Sequence, residues 1–465
     1  MNRRTFLTAA LGAPFLLRSQ ATERPNILFI AADDMNNNLG CYGHPIANTP
    51  NLDRLAARGV RFDRAYCQYP VCGPSRCSLL TGLRPDSTGI FENNIAVRDK
   101  LPGVITLPQL FKNNGWRSVR AGKMYHMDVP GSVGTNKWDD PPSWDVAISP
   151  PGSEQRTQGQ GGNIIPGRKA GWQAIAFEGE GKDQADEKAT EIALDTISSN
   201  PKRPWFLGLG YLRPHLPHVA PSRFFDLYPL DSIPLPNNPP GDLDDIPAAA
   251  KGVRPFLWNH MGMNERQIRE ARRGYYASTS FMDEQVGRVL DALERLKLAE
   301  NTIVVFWGDH GWNLGEHTRW QKMSLMEDSS RVPLIVYAPG SKGNGKACQS
   351  LVEFVDIYPT LAALCGLKPP ADLEGQSMTA LLDNPSRPFK KAAFTQIAYE
   401  DITGRAMRTP RYRYIRWDGK GGGEELYDHQ TDPGEITNLA IKPAGKAQLE
   451  QMRRMFDAGW RAARA

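Results

Sequence analysis

Short apolar runs that end in polar clusters recur along the chain. Asn26 to Ala32 reads as a buried strand and stops at Asp33-Asp34. Trp116 to Ala121 runs into Gly122-Lys123-Met124-Tyr125-His126, and Trp205 to Tyr211 into Arg213-Pro214-His215. Asn301 to Trp307 is the clearest, ending in Gly308-Asp309-His310-Gly311. Between these runs, 49–59, 107–114, 183–198 and 265–296 have helical patterns. The alternation predicts an α/β fold, a large, mostly parallel sheet sandwiched by helices. In such sheets ligands bind beyond the carboxyl ends of the strands, so runs that end in ionisable groups point to one shared site.

Residues 128–182 and 229–262 are rich in Gly, Pro and polar side chains and read as long loops over the sheet. After Pro385 the pattern changes. Residues 392–398, 412–417 and 425–427 look like short antiparallel strands, and 447–463 like a closing helix. The expected division is a catalytic domain over 24–385 and a smaller α+β subdomain over 386–465 that contains an antiparallel sheet. No internal repeat is present.

Composition narrows the class. With 465 residues, 40% of them hydrophobic, the chain can build a sizeable core and is not of a disordered type. A formal charge of +5 is too small to argue for nucleic acid as a partner. No apolar stretch is long enough for a membrane span. At the N-terminus, Arg3-Arg4 precede the apolar run Phe6 to Leu17 and the small-x-small pattern Ser19-Gln20-Ala21. Residues 1–21 therefore resemble a twin-arginine signal peptide, which implies a bacterial protein exported to the periplasm or the cell exterior. Such a compartment permits disulfides, yet cysteines 41, 67, 72, 77, 348 and 365 show neither a dense framework nor zinc spacing.

The most specific segment is Cys72-Gly73-Pro74-Ser75-Arg76-Cys77-Ser78-Leu79-Leu80-Thr81-Gly82-Leu83-Arg84. Pro74 suits the first turn of a helix, which places Cys72 at the N-terminus, where free N–H groups favour an anion. Arg76, four residues on, adds a planar cation near the same face. Physics alone describes an anion-facing, activated cysteine; a lone Cys-Gly-Pro also fits a buried thiol at a turn.

The segment does not stand alone. Cys-x-Pro-Ser-Arg-x-x-x-Leu-Thr-Gly-x-Arg is the signature of type I sulfatases of the alkaline-phosphatase-like superfamily, and Cys72, Pro74, Ser75, Arg76, Leu80, Thr81, Gly82 and Arg84 all match it. The resemblance runs from Arg24-Pro25-Asn26 to Asn438-Leu439. It implies that a formylglycine-generating maturase oxidises Cys72 to Cα-formylglycine, whose hydrated gem-diol is the nucleophile. It also implies the alkaline-phosphatase-like fold.

Asp33, Asp34 and Asp309 form a second constellation. Carboxylates brought together repel one another, so a buried cluster needs a cation, and oxygen ligands suit Ca²⁺ or Mg²⁺. Asp33-Asp34 alone would be an ordinary turn or cap pair. The resemblance favours calcium, held by Asp33, Asp34, Asp309, His310 and residue 72. Many sulfatases carry Asn where His310 stands; the Asp-His pair resembles the iduronate-2-sulfatase branch. His310 is thus either an ion ligand or a contact to residue 72 and the sulfate.

Gly122-Lys123-x-x-His126, Arg213-Pro214-His215-x-Pro217 and the run from Asp309-His310-Gly311-Trp312 to Trp320-x-Lys322 occur in family order and resemble the same branch. Singly, each lysine would be a solvated surface residue and each histidine a loop or core residue. Together they imply roles: Arg76, Lys123 and Lys322 hold the sulfuryl group, His215 protonates the leaving hydroxyl and His126 deprotonates the gem-diol for sulfate release. His215, Lys322 and Trp312 are the expected substrate contacts, with Trp312 and Trp320 either lining a sugar subsite or packing in the core. His317 is a loop brace, and His44 and His218 are structural.

The reading is a sulfuric ester hydrolase acting on a sulfated carbohydrate, with a 2-O-sulfated uronate the leading candidate. Two alternatives stay open: a phosphodiesterase or phosphonate monoester hydrolase of the same superfamily, and a non-catalytic protein that binds sulfated glycans.

Overall fold

In the computed structural model, residues 24–155, 162–165, 172–199 and 203–464 are described, so the leader expected at 1–21 lies outside them. The strand pattern at the start of the chain becomes β1 (Asn26–Asp33), every residue of which is buried. It alternates between two cores: Ile27, Phe29 and Ala31 face one apolar cluster, Leu28, Ile30 and Ala32 the other. Burial on both faces is what demands a continuous apolar run rather than an alternating one. Phe29 packs 5.7 Å from Phe206 and 5.3 Å from Trp307, ring to ring, which joins β1 to the strands on either side.

The remaining strands of this sheet are β2 (Val60–Phe62), β3 (Arg117–Gly122), β4 (Val146–Ile148), β5 (Trp205–Pro214), β6 (Thr302–Gly308), β7 (Leu334–Tyr337) and β8 (Ala347–Cys348). Their order is β8-β2-β7-β6-β1-β5-β3-β4. β1 is parallel to both β5 and β6, and β3 to both β4 and β5. Only β7 reverses, running antiparallel to β6 and β2. The mostly parallel α/β reading holds, and the four foreseen strands deliver their polar ends to one edge.

Helices cover the sheet: α1 (Pro50–Arg58), α2 (Cys72–Thr81), α3 (Leu107–Asn113), α4 (Ala185–Ser198) and α5 (Glu265–Arg295). α5 starts at a capping box in which Asn264 and Gln267 satisfy each other's backbone N–H groups. The expected long loops are partly ordered into strands. β4 adds an edge to the main sheet, and Ala174–Phe177 pairs in parallel with His218–Pro221.

Beyond Pro385 the chain forms an antiparallel sheet of β9 (Ala393–Tyr399), β10 (Ile402–Arg408), β11 (Tyr412–Asp418) and β12 (Gly423–Asp428), then α6 (Lys446–Ala462). β10 has no counterpart in the sequence reading, because its Thr403, Gly404 and Arg405 break the apolar signal while its edges pair fully. This sheet shares one apolar cluster with Val71 and Met323, close to the site described next. All six cysteines are free thiols.

Candidate active site

The four polar strand ends meet. β1 ends at Asp33, and Asp34 follows in the left-handed region at φ 60°, which turns its carboxylate back beside that of Asp33. The turn is held from three sides. Asp34 N–H donates to Asp309 Oδ1 at 2.9 Å, the Tyr275 hydroxyl donates to the Asp34 carbonyl at 2.9 Å, and Asn36 N–H donates to that hydroxyl at 2.9 Å. Asp309, at the end of β6, also accepts from His310 N–H at 3.0 Å. One oxygen from each of Asp33, Asp34 and Asp309 lies within 4.8 Å of the others, and all three residues are buried.

Cys72 is the first residue of α2 and is fully buried. Its Sγ lies 2.9 Å from Lys322 Nζ, 3.4 Å from His310 Nε2 and 3.9 Å from Asp34 Oδ1. The expectation of an activated thiolate needs correction. Burial pushes the Cys72 thiol well up, and Asp33 and Asp309 add to this against the pull of Lys322 and Lys123. The unmodified thiol is therefore a poor nucleophile. The helix N-terminus supplies a place for an anion but does not overcome desolvation.

Arg76 is fully buried and its donors are already engaged. Nε donates to Asp309 Oδ2 at 2.8 Å, Nη2 to Asp33 Oδ1 at 3.2 Å, and Nη1 to the carbonyls of Lys123 at 2.6 Å and Met124 at 3.2 Å. It fixes the acids and the β3 turn rather than pointing a free fork at a sulfate. Ser75, one turn from Cys72, donates its hydroxyl to the Asp309 carbonyl and ties α2 to β6.

Lys123 is also fully buried, 2.5 Å from Asp33 Oδ2. It gets there because Gly122, at φ +76°, and Gly210 let β3 and β5 approach; a Cβ on Gly122 would meet the Gly210 carbonyl at 2.0 Å. Burial opposes charge on Asp33, but Lys123, His215 and Arg76 outweigh it and hold that carboxyl well below the usual range. Asp34 behaves in the opposite way. Burial, with Asp33 and Asp309 nearby, raises it to about 6 despite Lys322 at 2.7 Å.

Three histidines complete the cluster. His310 Nδ1 lies 2.8 Å from the Gly311 carbonyl, an arrangement that fixes Nδ1 as the donor and leaves Nε2 as a lone pair 3.3 Å from Asp34 Oδ1. His215 is fixed likewise by the Leu216 carbonyl, 2.6 Å from Nδ1, and its Nε2 lies 3.6 Å from Asp34 Oδ2. Burial, helped by Lys322 and Lys123 and opposed by Asp33, lowers His215 to about 3, so its ring is neutral in the free site. His126 is 9% exposed, its Nδ1 is buried without a hydrogen-bond partner, and burial with Lys123 holds it neutral too.

Of the two places expected for Trp312, a sugar subsite and the core, it takes the core. It is only 2% exposed, with its ring 6.5 Å from that of His215 and its centroid 5.6 Å from Lys322 Nζ. A ring so covered has no face for a sugar; it supports Lys322 and His215 from behind. Trp320 is buried as well. Lys322 follows the hairpin of Asn313–Leu314 with Trp320–Gln321. Within that hairpin, His317 Nδ1 stands 3.1 Å from both carboxylate oxygens of Asp242. Although burial opposes it, Asp242 raises His317 to about 9, so the imidazolium pins the hairpin to the 229–262 segment. His218 packs against Tyr275 and His44 accepts from Ala47 N–H.

Whether these residues suit a divalent ion is a question of donors. Lys123, Lys322 and Arg76 already offset three carboxylate charges. Even so, Asp34 Oδ2 is buried without a hydrogen bond, and the His310 Nε2 lone pair faces the same carboxylate. An oxygen-dominated set with an unclaimed buried oxygen fits a hard cation.

Comparison with known proteins gives this arrangement a family. The sulfatase family profile matches residues 25–367. The chain belongs to the sulfatase family. A second profile, the C-terminal region of N-sulphoglucosamine sulphohydrolase, matches residues 315–459. The chain is 35% identical to a sulfatase of Formosa agariphila, covering 93% of this chain and 86% of that one. It is likewise 35% identical to the iduronate 2-sulfatase of Mus musculus, covering 90% and 92%. Among solved structures, the phosphonate monoester hydrolase of Agrobacterium radiobacter shares the fold, with a TM-score of 0.79 at 22% identity over 94% of this chain and 96% of that one. The protein is thus a sulfatase, a sulfuric ester hydrolase on an alkaline-phosphatase-like α/β fold. Among the described residues, no helix is long and apolar enough to cross a membrane.

Proposed function

We propose that this sulfatase removes a sulfate ester from a carbohydrate, with residue 72 carrying the nucleophile as Cα-formylglycine. One observation supports this above the rest: the Cys72 side chain sits at a buried helix N-terminus, in contact with Lys322, His310 and Asp34. Formylglycine at this position supplies a hydroxyl nucleophile and, on release of sulfate, an aldehyde. Asp33, Asp34, Asp309 and His310, with residue 72, would hold Ca²⁺, which lends positive charge to sulfate oxygens and acidifies a neighbouring hydroxyl.

The chain's own groups then have distinct tasks. Lys322 stays protonated, because Asp34 and neighbouring carboxylates outweigh its burial, and it neutralises the sulfuryl group beside residue 72. Arg76 and Lys123 hold Asp309 and Asp33 in place and contribute their charge to the anion through them. His215 enters neutral, takes up a proton from solvent as the anionic ester approaches and, with Lys322 beside it, passes that proton to the departing oxygen. His126, neutral and with an unclaimed Nδ1, is the base that frees the second proton on release.

The likeness to iduronate 2-sulfatase supports a 2-O-sulfated uronate as the substrate. A leader over 1–21, export to the periplasm or cell exterior, a formylglycine-generating maturase as partner, and a 24–385 catalytic domain with a 386–465 subdomain complete the proposal. The test uses protein co-expressed with a maturase. Peptide mass spectrometry should find formylglycine at 72, and sulfate should be released from aryl and carbohydrate sulfates faster than a phosphate diester is cleaved. An unmodified thiol in active enzyme overturns the nucleophile. Preferred diester cleavage selects the phosphonate or phosphodiester alternative, and binding without turnover selects the glycan-binding one.

A further inference from the structure

Among the described residues, nearly every buried arginine faces a carboxylate. Arg76 pairs with Asp33 and Asp309, Arg84 with Glu353, Arg213 with Glu154, and Arg413 with Glu327 and Glu435. Arg319 does not. It is 1% exposed, and among the described residues its acceptors are backbone carbonyls only: Val253 at 3.2 Å, Lys322 at 3.2 Å and Met323 at 2.7 Å. Its Nε has no partner, and its guanidinium lies 4.7 Å from the centroid of Trp258.

A second arginine stands beside it. Arg254 is exposed, in the left-handed region at φ 48°, and its Nε is 2.9 Å from Met323 Sδ. Its guanidinium lies 5.8 Å from the Tyr399 ring, with no carboxylate paired to it among the described residues. The two arginines share Met323, and burial together with the charge of Arg254 lowers Arg319 to about 9. Two adjacent guanidinium groups without a counter-ion are unfavourable, most of all when one is buried. Both touch Met323 or its carbonyl, one residue from Lys322. The surface beneath is apolar: Val71, next to the nucleophile, Met323 and half-buried Tyr399 share one cluster.

We propose that Arg254, held beside Arg319, forms a second anion subsite next to the reacting sulfate. Its ligand is another negative group on the substrate, a uronate carboxylate or a further sulfate, both of which match the planar guanidinium fork. Arg254 is the contact residue. Arg319 is a positioning residue that fixes Lys322 and Met323 and adds its field. The inference rests on the sulfatase reading of the site and deepens it, since it makes the enzyme selective for a substrate with two anionic groups.

The test uses matured full-length enzyme and 4-nitrophenyl sulfate as the reporter. Competing sugars are a 2-O-sulfated unsaturated uronic acid disaccharide, its carboxyl methyl ester, and the methyl ester with a second sulfate. Wild type should bind the methyl ester about ten-fold or more weakly than a dianionic sugar, a loss expected for a charge-assisted contact. Arg254→Ala should abolish that preference by raising Ki for the dianionic sugars to that of the methyl ester. Arg254→Lys should restore part of it. The carboxylate and second-sulfate arms identify which anion is read. Equal Ki values across the three sugars in wild type, or an unchanged preference in Arg254→Ala, overturn the inference and leave the sulfatase reading intact. No sulfate release by matured wild type from any of these esters overturns both.

Discussion

Two clusters of buried charge lie at opposite ends of α2 and its surroundings, and they are built on different terms. Around Glu353 every oxygen is claimed. Glu353 accepts from Arg84 at 2.8 and 2.7 Å, from Lys390 at 2.7 Å and from Phe394 N–H at 2.8 Å. Asp356 accepts from Lys390 at 2.6 Å and from the N–H groups of Gln376 and Glu353, each at 2.8 Å. Around Cys72 the charges also nearly balance, but Asp34 Oδ2 has no hydrogen bond and the His310 Nε2 lone pair faces inward. Each cluster holds one carboxyl down and lets another rise: against burial, Arg84 and Lys390 hold Glu353 down to about 2 while burial raises Asp356, just as Asp33 lies well below the usual range while Asp34 rises to about 6, so it is the hydrogen bonding that tells the two clusters apart. A closed network holds the fold, and an open one waits for ligands.

The largest expected effect separates catalysis from stability. Cys72→Ala should lower sulfate release by roughly ten-thousand-fold or more, as expected for removal of a nucleophile. Its melting temperature should stay within a few degrees of wild type, because no ion pair is broken. Retained turnover, measured as free sulfate, would take the nucleophile away from residue 72.

A matched pair of substitutions then tests the contrast itself. Asp34→Asn should reduce kcat by about a hundred-fold or more and, with variant and wild type both chelated at pH 7, cost no stability, since the amide oxygen still accepts from Lys322 and a buried charge is gone. Glu353→Gln should do the reverse. It strands Arg84 and Lys390 beside a neutral amide and should destabilise the protein by about 3–5 kcal/mol, read by denaturant unfolding, with kcat in the surviving folded fraction close to wild type. Similar losses of activity and stability in both variants would erase the distinction drawn here.

Much of this was legible in the sequence, for identifiable reasons. The strand ends at Asp33, Lys123, His215 and Asp309 were readable because strands buried on both faces leave long apolar runs that stop abruptly. Cys72 and Arg76 were readable from their resemblance to the sulfatase signature, since the local pattern alone fits a buried thiol at a turn as well as a helix start. Other parts were not. For Trp312 a sugar subsite and the core both stay open, because sequence shows a ring's presence but not its burial. Arg76 looked like a sulfate ligand because its four hydrogen bonds come from three separate segments. Tyr275, mid-helix on α5, carries no local sign that its hydroxyl fixes the turn at Asp34. Arg319 carried no signal either, since the lack of a partner is a property of the fold. Strand β7 was missed behind Pro333, which sits where a ladder N–H is not needed.

The smallest effect is the most specific to the open cluster. A chelator should lower both activity and melting temperature if the proposed ion binds the native state alone, and added Ca²⁺ should restore both. In chelated protein Asp34 titrates at about 6, above its ordinary 3.8, so between those values the native state binds more protons than the unfolded chain. Its contribution to stability is therefore fully present below about 3.8 and is lost as pH rises through about 6. Glu353 works in the other direction: held at about 2 against an ordinary 4.5, it stabilises above 4.5 and loses that contribution as pH falls toward 2. Between pH 7 and 5 only the Asp34 contribution of these two changes, and the chelated wild type should gain a few degrees of melting temperature over Asp34→Asn across that interval. With Ca²⁺ present the carboxylate is committed to the ion and the gain should vanish. A difference between wild type and Asp34→Asn that is the same with and without Ca²⁺ would show that Asp34 is not exposed to the ion, and the metal ligands would have to be sought elsewhere.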